Sequence, residues 1–153
     1  MKEGDKAPDF ELKNQHGEKL RLYDLLKESP VVLFFYPKDN TPGCTKEVCA
    51  FRDSHEAFTD LGATVLGISS DGESSHKQFS QKHNLPFQLL SDRSGGVRKK
   101  FGVPRTWGLL PGRVTYVIDQ EGVIRYLFNS AFKAEQHMEN SLKAVRKMMK
   151  AKA

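Results

Sequence analysis

Cys44 and Cys49, five positions apart, are the only thiols in a chain of 153 residues. An apolar run, Val31-Val32-Leu33-Phe34-Phe35-Tyr36, stops at Pro37 and gives way to the polar loop Lys38-Asp39-Asn40-Thr41-Pro42-Gly43, and a helical pattern begins at Cys44. A thiol attacks as its thiolate, and a free cysteine, with a pKa of ~8.5, is mostly protonated at neutral pH. The start of a helix favours the anion, because its unpaired N–H groups and macrodipole face that position. A nearby cation would add to the effect. Thr41 supplies a hydroxyl three residues before Cys44, and Pro37 and Pro42 stiffen the loop by fixing φ and removing backbone donors. A buried strand that delivers a thiol to a helix start is a way to make a reactive cysteine, so the first reading is redox chemistry. An inert buried thiol is the competing reading of Cys44, and the company of Pro37, Thr41 and the preceding strand argues against it.

Other chemistries find less support. Two cysteines cannot frame a multi-disulfide scaffold. A structural zinc site needs about four Cys or His ligands at short spacings, and no second pair is present. His16, His55, His76, His83 and His137 show no ligand spacing, so no chemistry is assigned to them. The net charge of +5 is spread along the chain, with small clusters at Arg98-Lys99-Lys100 and in the final helix, and no reading motif for nucleic acid accompanies it. No segment approaches the ~20 apolar residues of a membrane helix. The N-terminus, MKEGDKAPDFEL, has neither the apolar core of a secretory signal nor the Arg/Ser-rich character of a transit peptide.

The chain's length suits one domain over residues 1–153 with a sizeable core. The run 31–36 is rich in β-branched and aromatic residues and too short to span a membrane, which predicts a central strand buried on both faces. Residues 9–12 and 19–22 flank Asn14-Gln15-His16-Gly17 and predict a β-hairpin, with a helical turn over Tyr23-Asp24-Leu25-Leu26. Val48, Phe51, Ala57, Phe58 and Leu61 mark one face of a helix running from Cys44 to about Leu61, stopped by Gly62. Strands follow at 63–69 and 87–90, with a helix between them capped by Ser74 and ending near His83. A short helix over 97–101 leads into a Gly/Pro-rich loop, 102–112, that holds the only tryptophan, Trp107, read equally as a packing anchor or a substrate contact. Strands at 114–118 and 123–128 form an antiparallel hairpin through Asp119-Gln120-Glu121-Gly122. Met138, Leu142, Val145 and Met149 give the closing helix, 134–150, its apolar face. The order β-α-β-α-β, hairpin, helix is α/β: a central mixed sheet flanked by helices, the arrangement of the thioredoxin fold with an added N-terminal hairpin.

Pro37-x-x-x-Thr41-x-x-Cys44 after an apolar strand resembles the active-site motif of the peroxiredoxins, the thiol peroxidases. FFYPKDNTPGCTKEVCAFRD is more closely similar to the peroxiredoxin Q / bacterioferritin-comigratory-protein subfamily. The likeness runs from APDF through SSDGESSHKQF and LLSDRSGGVRKKFGV to GRVTYVIDQEGVI, essentially the whole chain. The resemblance implies that Cys44 is the peroxidatic cysteine, which attacks a peroxide oxygen and becomes a sulfenic acid. It implies that Thr41 holds the peroxide and the thiolate, that Pro37 shields the pocket, and that Arg113 stabilises developing charge, a task for which Lys is a poor substitute. Glu47 matches the position that orients this arginine. Cys49 would be the resolving cysteine, closing an intramolecular disulfide with Cys44. On the residues alone, Cys49 also reads as a small core residue and Arg113 as a surface strand residue.

An ideal helix separates the Cα atoms of residues five apart by about 8.6 Å, while a disulfide needs roughly 4.4–6.8 Å. The resolving role would therefore require the helix to unwind. The resemblance further implies hydrogen peroxide and alkyl hydroperoxides as substrates, thioredoxin or a similar dithiol as electron donor, no haem, flavin or metal cofactor, and a monomer. The expected compartment is a bacterial or cyanobacterial cytoplasm, with a plastid protein freed of its transit peptide as the alternative. Two other functions compete: a thiol-disulfide oxidoreductase, disfavoured because C-x-x-C is absent, and a metal-binding protein of the same fold, for which no His stands in a suitable place.

Overall fold

The computed structural model describes residues 1–103, 105–106, 110–111, 113–130 and 133–152. Trp107 and much of the loop around it lie outside the described residues. The elements are β1 (Glu11–Asn14), β2 (Lys19–Arg21), α1 (Leu22–Leu26), β3 (Val31–Phe35), α2 (Pro42–Asp53), α3 (His55–Asp60), β4 (Thr64–Ser69), α4 (Glu73–His83), β5 (Gln88–Ser91), α5 (Gly96–Phe101), β6 (Arg105–Thr106), β7 (Leu110–Pro111), β8 (Val114–Ile118), β9 (Ile124–Asn129) and α6 (Ala134–Lys152). Seven strands form one sheet in the order β2-β1-β5-β4-β3-β8-β9, while β6 and β7 pair with each other. β3 runs parallel to β4, and β4 to β5. β1, β8 and β9 join antiparallel. This is the thioredoxin-like mixed sheet with an N-terminal hairpin that the order of elements predicts.

The unbroken apolar run of β3 has a simple cause: its side chains alternate between two cores. Val31, Leu33 and Phe35 pack with Leu22, Leu26, Val97 and Phe101 on one face. Val32, Phe34 and Tyr36 pack with Cys44, Val48, Phe51, Phe58 and Val145 on the other. A strand with helices on both sides has no solvent face, hence no polar alternation. Phe34 stacks on Phe51 of α2 with ring centroids 4.4 Å apart and planes 8° from parallel, so the strand seats the helix that carries both cysteines.

Several boundaries differ from the sequence reading. The long helix begins at Pro42 and is interrupted at Ser54, whose φ of −106° and ψ of 7° leave the helical region. A proline suits the first helical position because its missing N–H has no intrahelical partner there. Gly72, not Ser74, stands at the N-cap of α4. The hairpin strands are 11–14 and 19–21, because the Asp9 carboxylate accepts the N–H of Tyr23 and pairs with Arg21, which turns Leu22 into the first residue of α1. Asn14 closes the hairpin turn, its side-chain oxygen accepting the N–H groups of His16 and Glu18. Among the described residues, no helix is long and apolar enough to cross a membrane.

Gly67, in central strand β4, shows how tightly the Cys44 side of the sheet is packed. A Cβ there would lie 2.8 Å from Phe34 Cζ and 2.9 Å from Leu89 Cδ2. Overpacking of this kind costs about 1–3 kcal/mol. Gly67→Ala is expected to lower the unfolding free energy by that amount, seen as a lower denaturant midpoint at unchanged slope, and an undiminished midpoint would show that Phe34 yields without cost.

Candidate active site

Cys44 is the third residue of α2 and is fully buried. Thr41 precedes the helix in an extended conformation, and its carbonyl accepts the N–H of Thr45. The Thr41 hydroxyl donates to the carbonyl of Lys38, 3.0 Å away. Pro37 is half-buried at the end of β3. The loop between them adopts a left-handed turn at Asn40, with φ of 65°, a conformation asparagine tolerates better than most residues.

Arg113 reaches this helix from the position just before β8. The antiparallel register pairs Val114 with Phe35, which brings the preceding residue to the end of β3 where the loop begins. Its Nη2 donates to Cys44 Sγ at 3.4 Å, and its Nη1 to Glu47 Oε1 at 2.6 Å and to the Gly43 carbonyl at 3.4 Å. Burial works against the guanidinium charge, yet Glu47 and Cys44 hold its pKa above the ordinary value. Glu47 is fully buried, and burial pushes its carboxyl up to about 8 while Arg113 pulls the other way. Of the six residues singled out from the sequence, the fold thus gathers Cys44, Arg113 and Glu47 into direct contact, with Thr41 and Pro37 on the adjoining loop.

Cys49 lies further along α2, half-buried, and both cysteines are free thiols. Its Sγ is 3.8 Å from Nδ1 of His83, and Arg52 donates to the His83 carbonyl. A surface hollow beside it is lined by Lys46, Ala50, Asp53 and Met138. A second hollow, at the N-terminal end of α2, is lined by Pro42, Gly43, Lys46, Lys133, Glu135 and Gln136, with Lys46 4.0 Å from the Glu135 carboxylate.

Sequence reasoning missed four contributors. Gly43 admits the guanidinium, since a Cβ there would lie 3.1 Å from Arg113 Nη2; a glycine between Pro42 and Cys44 was the available signal. Asp39 braces the loop from within. Its carboxylate accepts the Tyr36 hydroxyl at 2.6 Å and the Ser75 hydroxyl at 2.8 Å, and meets His76 Nδ1 at 2.8 Å. His76, given no chemistry from spacing, is buried and spends its Nε2 on the Leu90 carbonyl. His137, likewise unassigned, is buried against Glu47 and Thr115. Asp39, Asp71 and His76 bring one ligand atom each within 4.8 Å of one another. Both carboxylate oxygens of Asp39 and both ring nitrogens of His76 already have protein partners, which makes the cluster a hydrogen-bonded brace.

Known proteins resemble the chain over most of its length. The AhpC/TSA family model matches residues 3–127. "Peroxiredoxin Q, chloroplastic" of Suaeda salsa is 52% identical over 144 residues, 94% of this chain and 67% of that protein. Among solved structures, peroxidoxin BcpB from Mycobacterium tuberculosis superposes with a TM-score of 0.90 at 40% identity, over 97% of this chain and 98% of that one. The bacterioferritin comigratory protein of Xanthomonas campestris, whose alkyl peroxide reduction activity was studied in trapped intermediate and ligand complexes, does so with a TM-score of 0.83 at 29% identity, over 92% of each chain. A family model that spans most of the chain, joined to relatives that share both its sequence and its sheet, shows that it belongs to the AhpC/TSA family and, within it, to the peroxiredoxin Q / bacterioferritin-comigratory-protein thiol peroxidases.

Proposed function

We propose that the chain is an atypical two-cysteine peroxidase in which Cys44 reduces hydrogen peroxide and organic hydroperoxides and Cys49 resolves the product, as part of antioxidant defence. The observation that carries this reading is the Arg113 guanidinium 3.4 Å from a buried Cys44 sulfur at a helix N-terminus. In the first step the Cys44 thiolate attacks the terminal oxygen of ROOH. The O–O bond breaks, an S–OH bond forms, and RO⁻ leaves and takes up a proton. Arg113 is placed to stabilise both the thiolate and the negative charge that develops on the departing oxygen. A threonine hydroxyl that donates to Lys38 still has acceptor lone pairs, and Thr41 is assigned to receive the hydroperoxide O–H. Pro37 shields the pocket from water, and Glu47 orients Arg113.

In the second step Cys49 sulfur attacks the sulfenic sulfur, water departs, and an intramolecular disulfide forms. Both cysteines lie in one continuous helix, α2, where residues five apart are about 8.6 Å apart at Cα. The C-terminal part of α2 must therefore open for the sulfurs to meet. A dithiol reductant, thioredoxin or one like it, then restores both thiols, and the hollow beside Cys49 is a docking face for it. Closure of the disulfide within one chain suits a monomer acting as a single domain over residues 1–153. The cytoplasmic compartment rests on the sequence alone, whereas the Suaeda salsa relative's name is compatible with the plastid alternative.

Cys44→Ser is expected to abolish peroxide consumption coupled to reduced thioredoxin, while Cys49→Ser completes a single turnover and stalls as a Cys44 sulfenic acid that a dimedone-type probe traps. Retained turnover in Cys44→Ser would sink the reading. Arg113→Lys keeps the charge but loses the fork that spans Gly43, Cys44 and Glu47, and the rate constant with peroxide should fall by about 100-fold or more, the scale of losing one oriented donor. Amide hydrogen exchange tests the helix opening: residues 44–49 should lose protection in the oxidised protein and regain it on reduction. Equal protection in both states would exclude resolution by Cys49 through unwinding.

A further inference from the structure

The second thiol of α2 has a base beside it. Cys49 Sγ lies 3.8 Å from Nδ1 of His83, the last residue of α4. That separation is long for oxygen or nitrogen but within reach of the larger sulfur atom, and catalytic hydrogen bonds are often longer at rest than during the reaction. Among the described residues, neither ring nitrogen of His83 makes another hydrogen bond. Nδ1 therefore has its lone pair for the S–H, and Nε2 carries the hydrogen of the neutral ring.

Local structure holds the imidazole there. Asn84 ends α4 in the left-handed conformation, with φ of 51°. Phe79, one turn before His83 and fully buried, meets the imidazole edge-on with ring centroids 5.1 Å apart. Arg52 Nη1 donates to the His83 carbonyl at 2.9 Å, which ties the end of α4 to the half of α2 that bears Cys49. Arg52 also brings positive charge, since its guanidinium and an ionised Cys49 attract each other. A thiol, a base oriented by packing and a cation close by form the arrangement that activates a sulfur nucleophile.

We propose that His83 is the catalytic base of the resolving step, taking the Cys49 thiol proton on Nδ1 while α2 is closed. The proposal rests on the reading of Cys49 as the resolving cysteine. Proton transfer leaves an imidazolium and a thiolate. Once α2 opens, the thiolate attacks the Cys44 sulfenic sulfur, the S–S bond forms as the S–O bond breaks, and the departing hydroxide takes up a proton to leave as water. His83 then gives its proton back, so thiol and sulfenic acid yield disulfide and water with no net proton. Among the described residues, the charged and titratable groups acting on the imidazole are Lys82 of α4 and Arg52 and Cys49 of α2; Asp53 pairs with Arg52, and Phe79 is uncharged. Partial burial, and then Lys82 and Arg52, hold His83 below its ordinary 6.5, which keeps the ring neutral and ready to accept at neutral pH. A thiol that relies on solvent alone loses thiolate about tenfold with each pH unit below its own ionisation. One paired with a neutral imidazole does not, because transfer within the pair consumes no hydroxide.

Alkylation by iodoacetamide of the full reduced chain carrying Cys44→Ser, which leaves Cys49 as the only thiol, reads the thiolate without peroxide or helix opening. The rate constant is expected to stay nearly level from about pH 8 down to about pH 6.5 and to fall below that as His83 is protonated. With His83→Gln added, a side chain that still accepts the S–H but takes no proton, it should drop about tenfold per pH unit over the same range. In the chain with both cysteines, quenched-flow mass spectrometry separates the Cys44 sulfenic acid, one oxygen heavier, from the disulfide, two hydrogens lighter. His83→Gln should slow conversion of the first into the second about tenfold at neutral pH, where an unassisted thiol is only a few per cent thiolate. Identical alkylation profiles with and without His83→Gln, or an unslowed conversion, overturn the proposal. Should His83→Gln not fold, the profile of Cys44→Ser alone decides, and a tenfold drop per pH unit across the neutral range overturns it. A chain with both cysteines that keeps its Cys44 sulfenic acid and closes no disulfide would overturn the resolving role of Cys49 instead, since alkylation reports on the Cys49–His83 pair whether or not the disulfide forms.

Discussion

Arg113 brings a permanent charge into a site closed to water, with 5% of the residue exposed, and a buried charge left without partners would cost several kcal/mol. Much of the local architecture follows from the need to meet that charge. The β3–β8 register sets Val114 opposite Phe35 and so fixes where the guanidinium enters. A slip of one residue would turn the β8 side chains to the opposite faces and carry Arg113 away from the start of α2. Gly43 leaves room for the fork, and its carbonyl, with Glu47 Oε1 and Cys44 Sγ, occupies its donors. All three of these partners lie in the first six residues of α2, so one residue at the edge of β8 ties down the start of that helix. The same helix rests on β3 through the Phe34–Phe51 stack, worth about 0.5–1.5 kcal/mol beyond area burial.

Around this fixed point the loop and the helix differ in how firmly they are held. The loop 37–41 is braced from below by Asp39, whose carboxylate meets Tyr36, Ser75 and His76 and whose backbone N–H donates to Asp71. Arg98 from α5 adds a bond to the Tyr36 carbonyl. A loop so anchored keeps Thr41 and Cys44 in register without adjusting to substrate, which is what preorganised charge stabilisation requires. The far half of α2 is held mainly by apolar contact through Val48 and Phe51, while Cys49 stands at its half-buried edge. Its end is close by, because Ser54 breaks the helix after Asp53. A short helix with a nearby break has few hydrogen bonds to give up on opening, whereas one continuous helix to Leu61 would have had about two turns more.

The sequence disclosed what depends on local pattern and withheld what depends on tertiary pairing. The two-sided run of β3, the turn chemistry before Cys44 and the alternation of strands and helices are all written within short windows, and the mixed sheet follows from them. The break at Ser54 was hidden because the apolar positions on either side, Phe51 and Phe58, keep a helical spacing across it. Asp39 and His76 are separated by 37 positions, and neither has an apolar neighbourhood that would announce burial. His137 looked like one more polar residue on a Lys-rich amphipathic helix. Only the packing of α6 over β8 and α2 removes it from water and sets it against Glu47.

The two buried histidines serve different structural ends. At His76 the two ring nitrogens face the Asp39 carboxylate and the Leu90 carbonyl, so the ring ties a loop to a strand. At His137 one nitrogen faces the Ser130 carbonyl, while the other lies 2.8 Å from the Thr115 hydroxyl and 3.5 Å from Glu47 Oε2. The first arrangement braces the loop that leads into α2, and the second packs the last helix against β8 and against the carboxyl that pairs with Arg113. Glu47 is the link between the two parts of the site: one of its oxygens pairs with Arg113 and the other lies against His137. The guanidinium beside the Cys44 sulfur is thus backed by a residue in the last helix that never touches that sulfur.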